Sequence, residues 1–262
     1  MEIDIFSSQQ IISGQPSEKV AQRFERKFFI LPKNIGFAYT LLRQVCRPDK
    51  EFPQSRVNSL YFDTADLDEH MRSASGDYKK DKIRIRWYDG ITDNQAMVPV
   101  YIELKSRQGF TSSKQRQKFL VPSTSLMPEQ LGSGIIDKSV LIDTLAGFGF
   151  FLEKPVQPVI MISYRRYRFN EMQTGVRVSL DYDIRAQAVA VELGRRERAV
   201  RLPGGVIEVK GPNLELPKTL RRMRFLDTDW ARFSKYSYCI EAFLSEPGGV
   251  ARFWPSGRII EP

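Results

Sequence analysis

The chain has 262 residues but only one histidine, two cysteines and no long apolar run. The lone histidine, His70, stands in a segment full of Asp and Glu and reads as a surface residue. A histidine-based hydrolase or a zinc site is therefore close to excluded. Cys46 and Cys239 form no metal-ligand spacing, and free thiols in a reducing cytosol fit them best. The most apolar stretch, residues 148–162, is broken by Glu153, Lys154, Pro155 and Pro158, so no segment is expected to span a bilayer. Met1 to Phe6 include Glu2 and Asp4 without an apolar run, so no signal peptide is expected. A soluble, cytoplasmic protein follows. There is no G-x-x-x-x-G-K-[ST] loop and no dinucleotide-type glycine fingerprint, so any phosphate would be held by side chains rather than by a helix N-terminus behind a glycine loop.

Positive charge, in contrast, is plentiful. The formal net charge is +9 and the pI is near 9.5, which points to an anionic partner: nucleic acid, a membrane surface or a phosphate-rich small molecule. Six segments alternate charged and apolar residues with the period of a strand. One face of each carries, in turn, Lys82, Arg84 and Arg86; Tyr101, Glu103 and Lys105; Lys114, Arg116 and Lys118; Tyr164, Arg166 and Arg168; Arg177, Ser179 and Asp181; and Val206, Glu208 and Lys210. The opposite faces carry Ile83, Ile85 and Trp87, Ile102 and Leu104, Val176, Val178 and Leu180, and Ile207 and Val209. An ordinary antiparallel sheet would simply show its charged face to water. The excess of arginine, the side chain suited to forked contact with phosphate oxygens, makes a basic lumen the alternative.

Residues 1–20 are polar and predict a loosely held arm, 21–245 one β-rich domain, and 246–262, with Pro247, Gly248, Gly249 and Pro255, a tail. Within the domain, Arg23–Leu31 alternates as a strand with Glu25 and Lys27 on one face. Asn34 is placed to cap a helix running to about Arg47, striped by Phe37, Leu41, Leu42 and Val45. Val57–Phe62 reads as a strand, Ser123–Gly149 as two short helices, Glu192–Arg201 as a solvated hairpin, and Glu215–Phe243 as helical. A closed antiparallel barrel with charged faces inward and helices on its apolar outside would gather these faces round one ligand, giving an α+β fold.

Arginines, lysines and a few carboxylates are the inventory of metal-assisted phosphoryl transfer, where positioning and charge neutralisation supply most of the rate. Mg²⁺ or Mn²⁺ held by one or two carboxylates would bridge the phosphates. Glu208 is the first choice, with Glu103 and Glu25 next, against the alternative that each merely pairs with a neighbouring lysine. A nucleic-acid protein is disfavoured, because the aromatic residues form no stacking platform among the basic ones.

Six motifs in register carry a family resemblance: Phe24-Glu25-Arg26-Lys27, Ser59-Leu60-Tyr61-Phe62-Asp63-Thr64, Lys82-Ile83-Arg84-Ile85-Arg86-Trp87-Tyr88, Tyr101-Ile102-Glu103-Leu104-Lys105, Ile207-Glu208-Val209-Lys210 and Phe233-Ser234-Lys235-Tyr236. Over roughly residues 22–243 the chain resembles the VTC domain, the polyphosphate polymerase module of the vacuolar transporter chaperone complex and a member of the triphosphate tunnel metalloenzymes. The resemblance implies a β-tunnel in which the terminal phosphate of a nucleoside triphosphate passes to a growing polyphosphate chain with Mn²⁺ or Mg²⁺. It implies that Lys235, Arg84, Arg86 and Lys27 are catalytic and that Glu208 holds the metal. Arg72, Lys105, Lys114, Tyr164, Arg166, Arg177, Arg232 and Ser234 would bind nucleotide and polyphosphate, and the strand faces add Arg116 and Lys210. Hydrolytic relatives carry E-x-E-x-K on the first strand, where this chain has Arg23, Glu25 and Lys27; losing a carboxylate there favours transfer over hydrolysis. The alternatives are a tripolyphosphatase or nucleoside triphosphatase, and a polyphosphate-binding module without turnover. The chain resembles the stand-alone bacterial form, which implies a separate membrane protein as partner and a place at the inner membrane through it.

Overall fold

The protein is described from a computed structural model, over residues 24–88, 96–109, 111–193, 199–212, 215–226 and 233–245. The expected arm and tail, and Arg232, lie outside the described residues. In chain order the elements are β1 (Phe24–Ile30), α1 (Ile35–Val45), β2 (Cys46–Pro48), β3 (Gln54–Asp63), α2 (Asp68–Ser75), β4 (Lys79–Tyr88), β5 (Met97–Gln108), β6 (Thr111–Pro122), α3 (Lys138–Gly147), β7 (Gln157–Glu171), β8 (Arg177–Ala188), β9 (Ala199–Arg201), β10 (Gly205–Gly211) and α4 (Lys235–Leu244).

All pairings are antiparallel, in one 10-stranded sheet of order β1-β10-β8-β7-β3-β4-β5-β6, with β2 added to β7 and β9 to β8. The register aligns the charged positions in rows across the strands. Lys27 faces Glu208, Arg166 faces Asp181, and Arg84 faces Glu103, which in turn faces Arg116. Strand alternation fixes this, since a slip of one residue would turn every charge to the other side. Gly204 sets the entry to β10. Its φ is +87°, and a Cβ there would stand 2.2 Å from the Ile30 carbonyl oxygen, so only glycine lets β10 lie this close to β1.

The expected closed barrel requires correction. The sheet curls, but no backbone hydrogen bonds join β6 to β1 among the described residues. The edge strand β6 presents Lys114, Arg116 and Lys118, all exposed, and a row of like charges disfavours a paired neighbour. Side chains cross the concave space instead: Lys105 Nζ of β5 donates to Glu25 Oε2 of β1 at 2.8 Å.

The apolar faces of the strands point outward under helices, as the alternation predicts. Phe28, Ile30, Val178, Leu180, Ile207 and Val209 pack with Leu41 and Leu42 of α1 and with Leu220 and Met223 of a 3-10 segment, Lys218–Leu226. Leu60, Ile83, Ile85, Ile102 and Leu104 pack with Leu141 and Leu145 of α3. Complete burial of such side chains contributes roughly 1.5–3 kcal/mol each before entropy is counted. α4 differs from the expectation of helices outside only. Its Tyr236, Cys239, Ile240 and Phe243 pack against Phe29, Val57, Tyr61 and Val206, which share the concave face with the charged rows. The lumen is therefore apolar at one end and covered there by α4.

Local expectations were met unevenly. α1 stops at Val45 because Cys46–Pro48 pairs with β7, and Asn34 sends its amide to the Leu226 carbonyl rather than capping the helix. Phe37, read as part of the apolar stripe, is exposed. Residues 123–149 hold α3 and two 3-10 turns in place of two short helices. Part of the expected hairpin at 192–201 lies outside the described residues, and its end forms β9. His70, read as a surface residue, is 4% exposed. Asp63, at the end of β3, accepts the backbone N–H groups of Glu69 and His70 in the first turn of α2, drawing that helix and the imidazole inward against Tyr236. Cys46 and Cys239 are free and buried in separate cores. No helix among the described residues is long and apolar enough to cross a membrane.

Candidate functional site

Four carboxylates anchor the concave face, and each is enclosed by cations from neighbouring strands. Glu208 of β10 lies 3.1 Å from both Lys235 Nζ and Arg166 Nη2, 3.5 Å from Lys210 and 3.9 Å from Lys27. Asp181 of β8, with no exposed surface, takes both arms of the Arg166 fork at 2.6 and 2.7 Å and Lys235 Nζ at 2.6 Å. Such a bidentate pair fixes the guanidinium plane as well as its position. Glu103 of β5 holds Arg84 through Nε at 2.8 Å and Nη2 at 2.6 Å, with Arg86 at 3.6 Å and Lys114 against its other oxygen. Glu25 of β1 pairs with Lys105 and, at 3.5 Å, with Lys210.

Hydroxyls and rings complete the wall. Arg84 Nη1 donates to Tyr61 Oη at 3.0 Å, and Arg86 Nε donates to Ser59 Oγ at 3.1 Å. Lys235 Nζ and the Arg166 guanidinium lie 4.9 and 5.3 Å from the centre of the Tyr164 ring, close enough for cation–π attraction. Lys235 follows Ser234, the N-cap of α4, whose hydroxyl accepts the Ser237 N–H; the cap thereby sets where the lysine enters the cavity.

Lys27, Lys82, Arg84, Arg86, Lys105, Lys114, Arg166, Lys210 and Lys235 thus share the space, and among the described residues the carboxylates ion-paired with them are Glu25, Glu103, Asp181 and Glu208. The imbalance has electrostatic consequences. Burial pushes Glu208 up, but Lys235 and Arg166 outweigh it and hold the carboxyl well below the usual range; Glu103 is likewise depressed by Arg84 and Arg86. Lys235 is raised above an ordinary lysine, because Asp181 and Glu208 outweigh its burial. Burial and the charges of Lys27 and Lys105 push Lys82 down to about 7, and Lys105 falls to about 8 through burial and the charges of Lys27 and Lys210.

These depressed lysines make the empty protein respond to pH in an uncommon direction. Between their native values and the ordinary lysine value, the native state binds fewer protons than the unfolded chain, so stability rises with pH. The melting temperature of the ligand-free protein is expected to increase from pH 7 to pH 9. Above that, the buried thiol of Cys46, pushed up to about 12 by burial, begins to oppose the trend. Saturating tripolyphosphate should flatten the profile by keeping the lysines charged, and thermal melts with and without it check this.

Of the residues expected from sequence, the structure gathers Lys27, Arg84, Arg86, Lys105, Lys114, Tyr164, Arg166, Lys210, Ser234, Lys235, Glu25, Glu103 and Glu208 on one concave face. Three others stand apart from it. Arg72 pairs with Glu69 on α2, exposed Arg116 lies over the Tyr101 ring at 5.3 Å, and Arg177 is exposed near the start of β8. Sequence reasoning placed Asp181 and Lys82 on charged faces without giving either a role, and quoted Ser59 and Tyr61 only within a motif. The strand alternation carried the signal for all four, since Tyr61 and Ser59 share a face of β3.

No group of three or more His, Cys, Asp or Glu side chains that could hold a metal ion occurs among the described residues. The donor set that fits Mg²⁺ or Mn²⁺ is the pair Glu25 and Glu208, whose oxygens both approach Lys210 Nζ at 3.5 Å. Such ions commonly take one or two carboxylates and complete their shell with phosphate and water. Glu103 fits less well: cations cover both oxygens of Glu103 and Glu208 alike, but Glu103 shares no cation with a second carboxylate among the described residues, whereas Glu208 shares Lys210 with Glu25.

The fold is a curled antiparallel sheet whose concave face, among the described residues, carries more cations than ion-paired carboxylates. The chain belongs to the VTC domain family, whose model matches residues 22–244. No curated protein sequence matches it significantly. Among solved structures it is similar to a candidate adenylate cyclase from Bacillus halodurans, with 13% identity, 81% of this chain and 95% of that one covered, and a TM-score of 0.47. It is also similar to a candidate adenylyl cyclase from Hippeastrum described as having a dominant triphosphatase activity, with 16% identity, 86% and 95% covered, and a TM-score of 0.45.

Proposed function

We propose that the protein is a polyphosphate polymerase that transfers the terminal phosphate of a nucleoside triphosphate, ATP first among them, to a growing polyphosphate chain. The observation that carries this reading is the convergence of Lys27, Arg84, Arg86, Arg166 and Lys235 on one concave face with too few ion-paired carboxylates among the described residues to balance its cations. Phosphoryl transfer asks for this arrangement: charge spreads over the phosphate oxygens, and donors fixed in place before the reaction stabilise it without reorganising.

In this reading Lys235 stays charged at every working pH and faces the transferred phosphoryl group. Glu103 and Tyr61 hold Arg84 against rotation, and Asp181 holds Arg166, so these guanidinium groups meet the phosphate chain in set orientations. A divalent ion on Glu25 and Glu208 would add charge neutralisation between the phosphates. Transfer to phosphate rather than to water is supported by Arg23, which stands where hydrolytic relatives have a second first-strand carboxylate.

Incubation with ATP and Mn²⁺ or Mg²⁺, with products resolved by phosphorus NMR and a polyphosphate-staining gel, tests the proposal. Long chains with ADP are expected, and chelation of the metal should stop their formation. Orthophosphate as the sole product would establish a triphosphatase. Tight tripolyphosphate binding without turnover would establish a binding module.

A further inference from the structure

Lys82 differs from the other lysines of the cavity. Lys27, Lys105, Lys114, Lys210 and Lys235 each have a carboxylate oxygen within 4 Å. Lys82 has none among the described residues. Its Nζ donates to Ser234 Oγ at 2.8 Å and lies 3.4 Å from Ser73 Oγ, and Ser237 Oγ joins the same hydroxyls at 3.2 Å from Ser234 and 3.0 Å from Ser73.

The charges that act most strongly on Lys82 are cations: Lys27 from β1, Lys80 and Arg84 from its own strand, and Lys105 from β5. His70 of α2 also lies within its influence, and Lys82 disfavours a charge there too. From α4 comes a helix N-terminus, another positive end. An ammonium group in this place is repelled on several sides with no anion to offset it. The amine has hydroxyl acceptors, but among the described residues no carboxylate offsets its charge.

We propose that Lys82, with Ser73 and Ser234, is a further phosphate-binding position of the cavity, which becomes charged by taking up a proton from solvent as a phosphate group of the polyanion arrives. The inference rests on the polyanion reading above and adds to it a residue and a proton. A phosphate beside Lys82 supplies the missing counter-charge and accepts from the ammonium and both hydroxyls. The depressed proton affinity of Lys82 agrees with this, because the group is largely neutral in the empty cavity above neutral pH.

Titration calorimetry of tripolyphosphate at pH 8, without nucleotide and in two buffers of different ionisation enthalpy, measures affinity and proton uptake together. Lys105 and Lys114 are depressed as well and contribute uptake of their own, so the readout is the difference between proteins. Lys82→Met is expected to bind about ten-fold or more weakly, the loss of one charged hydrogen bond, and to take up close to one proton fewer than the wild type. Lys82→Arg, always charged, should bind at least as tightly as the wild type and also lack that proton, which a merely structural role for the side chain would not produce. Equal proton uptake by all three proteins, or unchanged affinity in Lys82→Met, would overturn the proposal. Absence of binding by the wild type would overturn the polyanion reading along with it. The expected differences without any polymer formation from ATP would leave Lys82 in place and remove only the polymerase.

Discussion

Lys235→Leu is expected to abolish polymer formation and to lower the melting temperature by roughly 10 °C. Lys235 is 8% exposed, and its Nζ is the shared partner of Asp181 and Glu208. Removing one member of a buried ion group leaves the remaining charges uncompensated, which costs about 3–5 kcal/mol. In a domain of this size, 1 kcal/mol corresponds to roughly 2–4 °C. On the catalytic side, losing a fixed donor at the transferred phosphate costs about a hundred-fold to a thousand-fold in rate. A pH series separates this from general misfolding. Without the lysine, Asp181 and Glu208 are raised toward the protonated form, so the variant should regain stability relative to the wild type as pH falls from 7 to 5. A deficit that stays constant with pH would show that the lysine does not act through these carboxylates.

Glu208→Gln and Glu103→Gln are expected to differ in their response to metal, although both remove a buried carboxylate enclosed by cations. If Glu25 and Glu208 take up the divalent ion, Glu208→Gln should raise the half-saturating Mn²⁺ concentration for turnover at least ten-fold. Glu103 shares no cation with a second carboxylate among the described residues, so Glu103→Gln should leave that concentration unchanged while loosening Arg84 and slowing turnover at saturating metal. Activity measured across a Mn²⁺ titration distinguishes the two. A shift of equal size in both variants would place Glu103 among the ligands. Both should be less stable than the wild type when empty and recover most of the loss with tripolyphosphate, because each leaves the cavity with more uncompensated positive charge for a polyanion to neutralise.

Much of the cavity was legible in the chain because a strand has a period of two. Once Lys82, Arg84 and Arg86 alternate with Ile83, Ile85 and Trp87, the two faces are settled and only their destination is open: solvent, or a lumen. Asp181 shows the limit of that reading. It stood in its row beside Ser179 and Arg177, yet nothing in the row said that a register shift between Ser163 and Arg165 would set it opposite Arg166, or that α4 would bring Lys235 to it. His70 was misread for a related reason. Its acidic neighbours suggested solvent, whereas Asp63 points inward and uses its oxygens to cap α2.

By itself the sequence determined the alternation, the choice of arginine over lysine at many charged positions, and the motifs that mark the VTC family, because these depend on local period and residue chemistry. The tertiary structure decided which carboxylate each cation serves, that β5 reaches β1 through side chains while β1 and β6 stay unpaired among the described residues, and that α4 covers the apolar end of the concave face. Those outcomes depend on sheet curl and on contacts between residues such as Lys27 and Phe233, which lie 206 positions apart. A local pattern cannot encode them, since side chains distant in the chain meet only after the sheet has bent.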